Sequence, residues 1–106
     1  MKLSAIVVAL AATITSPAFA ECSVGGLRSI TSQLPVAITV SNKTKGRMAR
    51  LLWIDFDGNR KHYATLAPGV RQTQQTYEGH VWVIEDQNGN CGMIFTAGAP
   101  AEIVVK

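Results

Sequence analysis

Six side chains between positions 53 and 82 are of the types that bind or react: Trp53, Tyr63, Thr76, Tyr77, His80 and Trp82. Indole and phenol rings offer flat apolar faces that suit a rigid ring with weakly positive C–H edges. A hydroxyl and an imidazole beside them add directional hydrogen bonds. The same stretch also holds the parts of a nucleophilic site, since Thr76, His80 and Asp55 supply a hydroxyl, a base and a carboxylate. No nucleophile elbow or other catalytic signature accompanies them, so no enzyme is expected. His62 and His80 fall on different predicted strands, too far apart in sequence for a metal motif, and no metal or other cofactor is expected. Each residue alone has an ordinary explanation: a buried tryptophan, a half-buried strand tyrosine, a hydrogen-bonded histidine. Their weight lies in the combination.

The segments that carry these side chains are short and β-rich. Strands are predicted over 36–41, 49–56, 60–66, 71–77, 81–86, 92–96 and 101–105. Asp57-Gly58-Asn59 and Asn88-Gly89-Asn90 tolerate positive φ, and Pro68-Gly69 is a strong turn pair, each where a strand should end. Seven short strands at regular spacing, with no sustained helical period, predict an all-β, seven-stranded two-sheet sandwich. Strict alternation places Leu52, Ile54 and Phe56 on one face of their strand and Leu51, Trp53 and Asp55 on the other. With the first set read as core, Trp53 points away from it. The same parity separates Tyr63 from Ala64 and Leu66, and Trp82 from Val81 and Val83. The expectation is therefore that the large aromatics decorate a face outside the core.

Residues 1–20 read as a secretory signal peptide, with Lys2, the apolar run LSAIVVALAATI and then Ala18-Phe19-Ala20 before the cleavage point. Residues 21–34, with Gly25-Gly26 and many small polar side chains, read as an irregular arm, and 35–106 as the sandwich. The product is expected to be secreted or periplasmic, with no membrane attachment in its mature form. Export takes Cys22 and Cys91, the only two cysteines, into an oxidising compartment, and a disulfide between them is expected. Without the first 20 residues the chain keeps nine Lys and Arg against seven Asp and Glu, too small an excess to imply nucleic acid. Lys43, Lys45, Arg47 and Arg50 are interrupted by uncharged residues and read as a solvated loop.

From residue 40 to 105 the sequence resembles the β-domain family of the von Hippel-Lindau tumour suppressor. The resemblance is carried by Asn42, by Trp53-Ile54-Asp55-Phe56-Asp57-Gly58, by Tyr63-Ala64-Thr65-Leu66-Ala67-Pro68-Gly69, and by Thr76-Tyr77-Glu78-Gly79-His80-Val81-Trp82. It implies a sandwich whose surface holds a hydroxyproline pocket, with Trp53, Tyr63, His80 and Trp82 at the pocket's aromatic and histidine positions. Thr76 stands in the place of a serine that, with the histidine, binds the ligand hydroxyl. Tyr77 matches a tyrosine at the pocket edge, whereas Gln75 replaces a histidine. No counterpart of the family's α domain is found, so neither elongin nor cullin is an expected partner. The implied function is a non-enzymatic module that recognises a proline- or hydroxyproline-containing peptide. A carbohydrate-binding module, or a structural envelope or assembly protein using the same aromatic face, is the alternative.

Overall fold

The computed structural model describes residues 22–106, so the signal-peptide expectation lies outside the described residues. Seven strands follow in chain order: β1 Pro35–Asn42, β2 Ala49–Ile54, β3 Arg60–Leu66, β4 Arg71–Tyr77, β5 Val81–Asp86, β6 Cys91–Thr96 and β7 Ala101–Val105. They form a three-stranded sheet in the order β4-β1-β7 and a four-stranded sheet in the order β3-β2-β5-β6. Every pairing is antiparallel except β1 with β7.

The strand predicted over 49–56 stops at Ile54, and the reason lies in the next side chain. Asp55 Oδ1 accepts from the amides of Asp57 and Asn59, at 2.9 and 2.8 Å, which pulls those amides out of the ladder and into a turn. The same device recurs after β5, where Asp86 Oδ1 accepts from Asn88 and Asn90 at 2.8 and 2.9 Å. Both turns carry a glycine at positive φ, Gly58 and Gly89. The amides hold both carboxyls below the usual carboxylate range.

Alternation separated the faces of β2 correctly but mistook which one meets the other sheet. Ala49 and Leu51, with Trp53 packed partly buried beside them, face the small sheet. There they join Ile38 and Val40 of β1, Leu66 of β3, Trp82 and Ile84 of β5, and Ala97. Leu52 and Ile54 lie on the opposite face with Val81 and Val83, and this second apolar layer is covered by Cys22 and Val24 of the segment preceding β1. The central strands β2 and β5 are therefore buried on both sides, which gives each a continuous apolar run rather than an alternating one. Phe56, expected in the core, follows the end of β2 and is 45% exposed.

Residues 22–34 form no strand but cross the outer face of the large sheet. Ser29 binds two strands at once, its amide donating to Asp55 O, its hydroxyl donating to Ile54 O and accepting from the amide of Val81. A disulfide joins Cys22 to Cys91 across a sequence separation of 69. Beside it the Glu85 carboxylate, 4% exposed, lies 3.6 Å from Arg50 Nη1 and 3.5 Å from Arg60 Nη1. Arg60 also donates to the Cys22 carbonyl.

Candidate functional site

Trp53 of β2, Trp82 of β5 and Phe95 of β6 stand opposite one another in register across the large sheet, on the face turned to the small one. Where this row meets β4, the gap between the sheets is not closed by aliphatics. It leaves a cleft of about 230 Å³ lined by Trp53, Tyr63, Gln75, Thr76, Tyr77, His80 and Trp82. All six residues singled out by type thus meet in one place, though not on the face that alternation assigned to them. Pockets for drug-sized ligands start near ~300 Å³, so a cleft of this volume suits one small ring.

The expectation of a solvent-facing Trp82 is corrected. Its side chain fills the inter-sheet core at 2% exposure, and only an edge of it reaches the cleft floor. Its indole N–H donates to Thr76 Oγ1 at 2.9 Å, a buried bond tying β5 to β4 across the gap. Burying the ring here satisfies its one polar atom, as buried tryptophans require. Trp53 is also turned inward, and its Nε1 is buried without an acceptor among the described residues.

Tyr63 reaches the cleft through an irregularity that no strict period contains. Leu51 pairs with Ala64 but Leu52 pairs with His62, so Tyr63 is the extra residue of a β-bulge. A bulge re-aims its side chain. The phenol ring therefore lies edge-on to Trp82, with centroids 5.1 Å apart, and 6.2 Å from Trp53, while remaining 50% exposed as an outer wall.

His80 sits at the opposite wall, 8% exposed, after the turn that follows β4. Its ring is surrounded by Trp53 at 5.4 Å, Phe56 at 5.5 Å and Tyr77 at 5.5 Å between centroids. This desolvation pushes the imidazole below its ordinary value of 6.5, so it is neutral at neutral pH. Neither ring nitrogen has a hydrogen-bond partner among the described residues, and a neutral imidazole offers one donor and one acceptor. Gly79, at φ +87°, makes the preceding corner possible, because the Ile30 side chain lies 2.5 Å from where a Cβ would sit.

Phe56 belongs to the aromatic wall but was assigned to the core, since its strand was read two residues too long. The Asp-x-Asp-Gly-Asn sequence at 55–59, which stops the strand, is the signal that could have moved it. Gln75, noted only as a departure from a pattern, is also a lining residue. Thr76, His80 and Asp55 do not assemble a nucleophilic triad among the described residues: the hydroxyl is bonded to an indole, the carboxylate to its own turn, and neither to the imidazole. His62 bonds Thr65 on its own strand and lies outside the cleft.

A two-sheet sandwich with an aromatic, hydroxyl- and imidazole-bearing cleft at one edge of the inter-sheet gap defines the class. The sequence model of the VHL beta domain matches residues 27–98. The chain belongs to the VHL beta domain family. That match takes in the segment from Leu27 that crosses the large sheet, and so extends further toward the start of the chain than the motifs did.

Proposed function

We propose that the cleft is a recognition site for a proline residue in a peptide, and that ring hydroxylation of that proline strengthens binding. The observation that carries this reading is the bond from Trp82 Nε1 to Thr76 Oγ1. It occupies a lone pair of the hydroxyl and leaves its O–H to donate into the cleft. A ligand hydroxyl accepting from Thr76 can in turn donate to the neutral ring of His80. Trp53, Tyr63 and Trp82 supply the walls for a pyrrolidine ring, which is already rigid and loses little entropy on docking. Tyr77 and Gln75 lie where flanking peptide backbone would pass. The family resemblance supports the same roles for Thr76 and His80.

Calorimetry with matched hydroxyproline and proline peptides tests the proposal. A buried polar group left unpaired costs about 1–3 kcal/mol, so the hydroxylated peptide is expected to bind about tenfold to a hundredfold more tightly. Absence of binding to both peptides rejects it. Binding of a glycan, abolished by Tyr63→Ala or Trp53→Ala, would transfer the site to the carbohydrate-binding reading. The exposed ring of Tyr63, and that of Phe56 beside the cleft, are compatible with stacking on sugars.

Affinity should also depend on pH in one direction. Protonation of His80 removes its acceptor, so binding weakens as pH falls through the imidazole pKa, which lies below 6.5. The same group makes the fold less stable in that range, because the unfolded chain takes up a proton near 6.5 before the folded one does. Titration from about pH 8 to about pH 5 should show the loss, and His80→Gln should flatten it. An unchanged affinity across that range would remove His80 from the ligand's hydrogen bonds.

The disulfide is compatible with a protein working in an oxidising compartment, and we place it in the periplasm or outside the cell. No helix among the described residues is long and apolar enough to cross a membrane.

A further inference from the structure

Residues 22–34 contribute no group to the cleft, yet they hold two turns beside it. One is the turn at 55–59, whose Phe56 packs against the cleft residues Trp53 and His80. Its first carbonyl, Asp55 O, accepts from Ser29 N at 3.2 Å. The other follows β4 and carries Tyr77 and His80. There Glu78 N donates to Leu34 O at 2.9 Å, Ile30 N donates to Gly79 O at 3.4 Å, and the Ile30 side chain packs where Gly79 lacks a Cβ. Between them, the Ser29 hydroxyl accepts from Val81 N at 2.8 Å, in the residue next to His80. The segment is fixed at one end by its continuation into β1 and at the other by the bond from Cys22 to Cys91. Cys22 is buried whereas Cys91 is exposed.

We propose that this segment is a strut that sets the shape of the cleft, with Ser29 as its positioning residue. The Cys22–Cys91 bond locks the strut, so that cleft geometry and ligand affinity follow the oxidation state of that pair. The consequence for ligand rests on the reading of the cleft as the binding site; the strut itself does not.

A dithiol reductant is the chemical partner required. One of its thiolates attacks the sulfur of Cys91, the exposed residue of the pair, forming a mixed disulfide and releasing Cys22 as a thiolate that takes up a proton. Its second thiolate then attacks the reductant's own sulfur in the mixed disulfide and releases Cys91, which is protonated in turn. The protein gains two electrons and two protons, and the dithiol ends as a cyclic disulfide. Freed at Cys22, the segment stays covalently joined only at β1, and the hydrogen bonds of Ser29, Ile30 and Leu34, the Arg60 bond to the Cys22 carbonyl and the packing of Val24 must hold it in place.

The test uses three samples: the oxidised protein, the same protein kept in dithiothreitol, and Ser29→Ala with its disulfide intact. In the second and third, amide exchange at Ile30, Glu78 and Val81 should rise at least about tenfold, and in Ser29→Ala, where the disulfide still constrains the unfolded chain, amides of the β1–β4 ladder should change far less. The indole N–H resonances of Trp53 and Trp82 should shift in both. Affinity for a hydroxyproline peptide should fall about tenfold in both. Unchanged exchange at those three amides, or unmoved indole resonances, overturns the strut. Equal acceleration across both sheets in Ser29→Ala overturns it too, since the segment would then support the whole fold and not the two turns. Loosened turns with undiminished peptide affinity overturn the coupling to ligand. A peptide that fails to bind even the oxidised protein counts against the proposed function, and the exchange and resonance data still judge the strut.

Discussion

Trp82→Ala is expected to destabilise the protein by about 3–5 kcal/mol, measured as a lower urea midpoint at unchanged slope. The indole is almost fully buried between the sheets, so its removal leaves a cavity bordered by Ile38, Leu51 and Leu66 that β-sheet backbones cannot collapse to fill. The lost bond to Thr76 adds to that cost. A domain of this size has a total stability of about 5–15 kcal/mol, so the variant sits near the edge of folding. Trp82→Phe separates the two contributions, because it keeps most of the apolar volume but lacks the indole donor. It should cost about 1–2 kcal/mol and, under the function proposed above, reduce the preference for a hydroxylated peptide, since Thr76 is no longer oriented. A cost under about 1 kcal/mol for Trp82→Ala would show that the indole does not fill the inter-sheet gap.

Reducing the disulfide should have an effect of similar size by a different route. Closing a loop with a sequence separation of 69 removes conformations from the unfolded chain, and on the chain-entropy account its loss costs about 4 kcal/mol. Urea unfolding with and without reductant measures this directly, and a paired Cys22→Ser, Cys91→Ser replacement should reproduce it. Most of the change should appear in the unfolded state, leaving both sheets assembled in the reduced native protein. A midpoint unmoved by reduction would contradict it. The two perturbations act on opposite faces of the large sheet, so combining Trp82→Ala with reduction should remove about 7–9 kcal/mol, enough to unfold most domains of this length.

The seven strands were legible because local chemistry separates several of them, with Gly58 and Gly89 at positive φ, Pro68 before Gly69 and β-branched runs between, although the end of β2 was set two residues late, at Phe56. The disulfide was legible from the presence of two cysteines in a chain read as exported. What alternation could not decide was which side of β2 and β5 meets the other sheet, because Leu51-Leu52 and Val81-Trp82-Val83-Ile84 are apolar at both parities. Those unbroken runs were themselves the sign of burial on two faces, and they implied a covering layer that the irregular stretch at 22–34 provides. Tyr63 was grouped with the other aromatics for the wrong reason. Its position depends on a bulge opposite Leu51 and Leu52, which period-two reasoning treats as regular strand. Thr76 and Trp82 lie six positions apart, and their bond follows only from the way β4 of one sheet is laid over β5 of the other.

The coverage of β2 and β5 on both faces bears on what a shortened chain would expose. Leu52, Ile54, Val81 and Val83 make a greasy stripe that Cys22 and Val24 help to cover. A polypeptide beginning at Pro35 would retain every strand and every cleft side chain, yet present that stripe to its neighbours. The thread ahead of the first strand thus completes the burial of the large sheet's outer face.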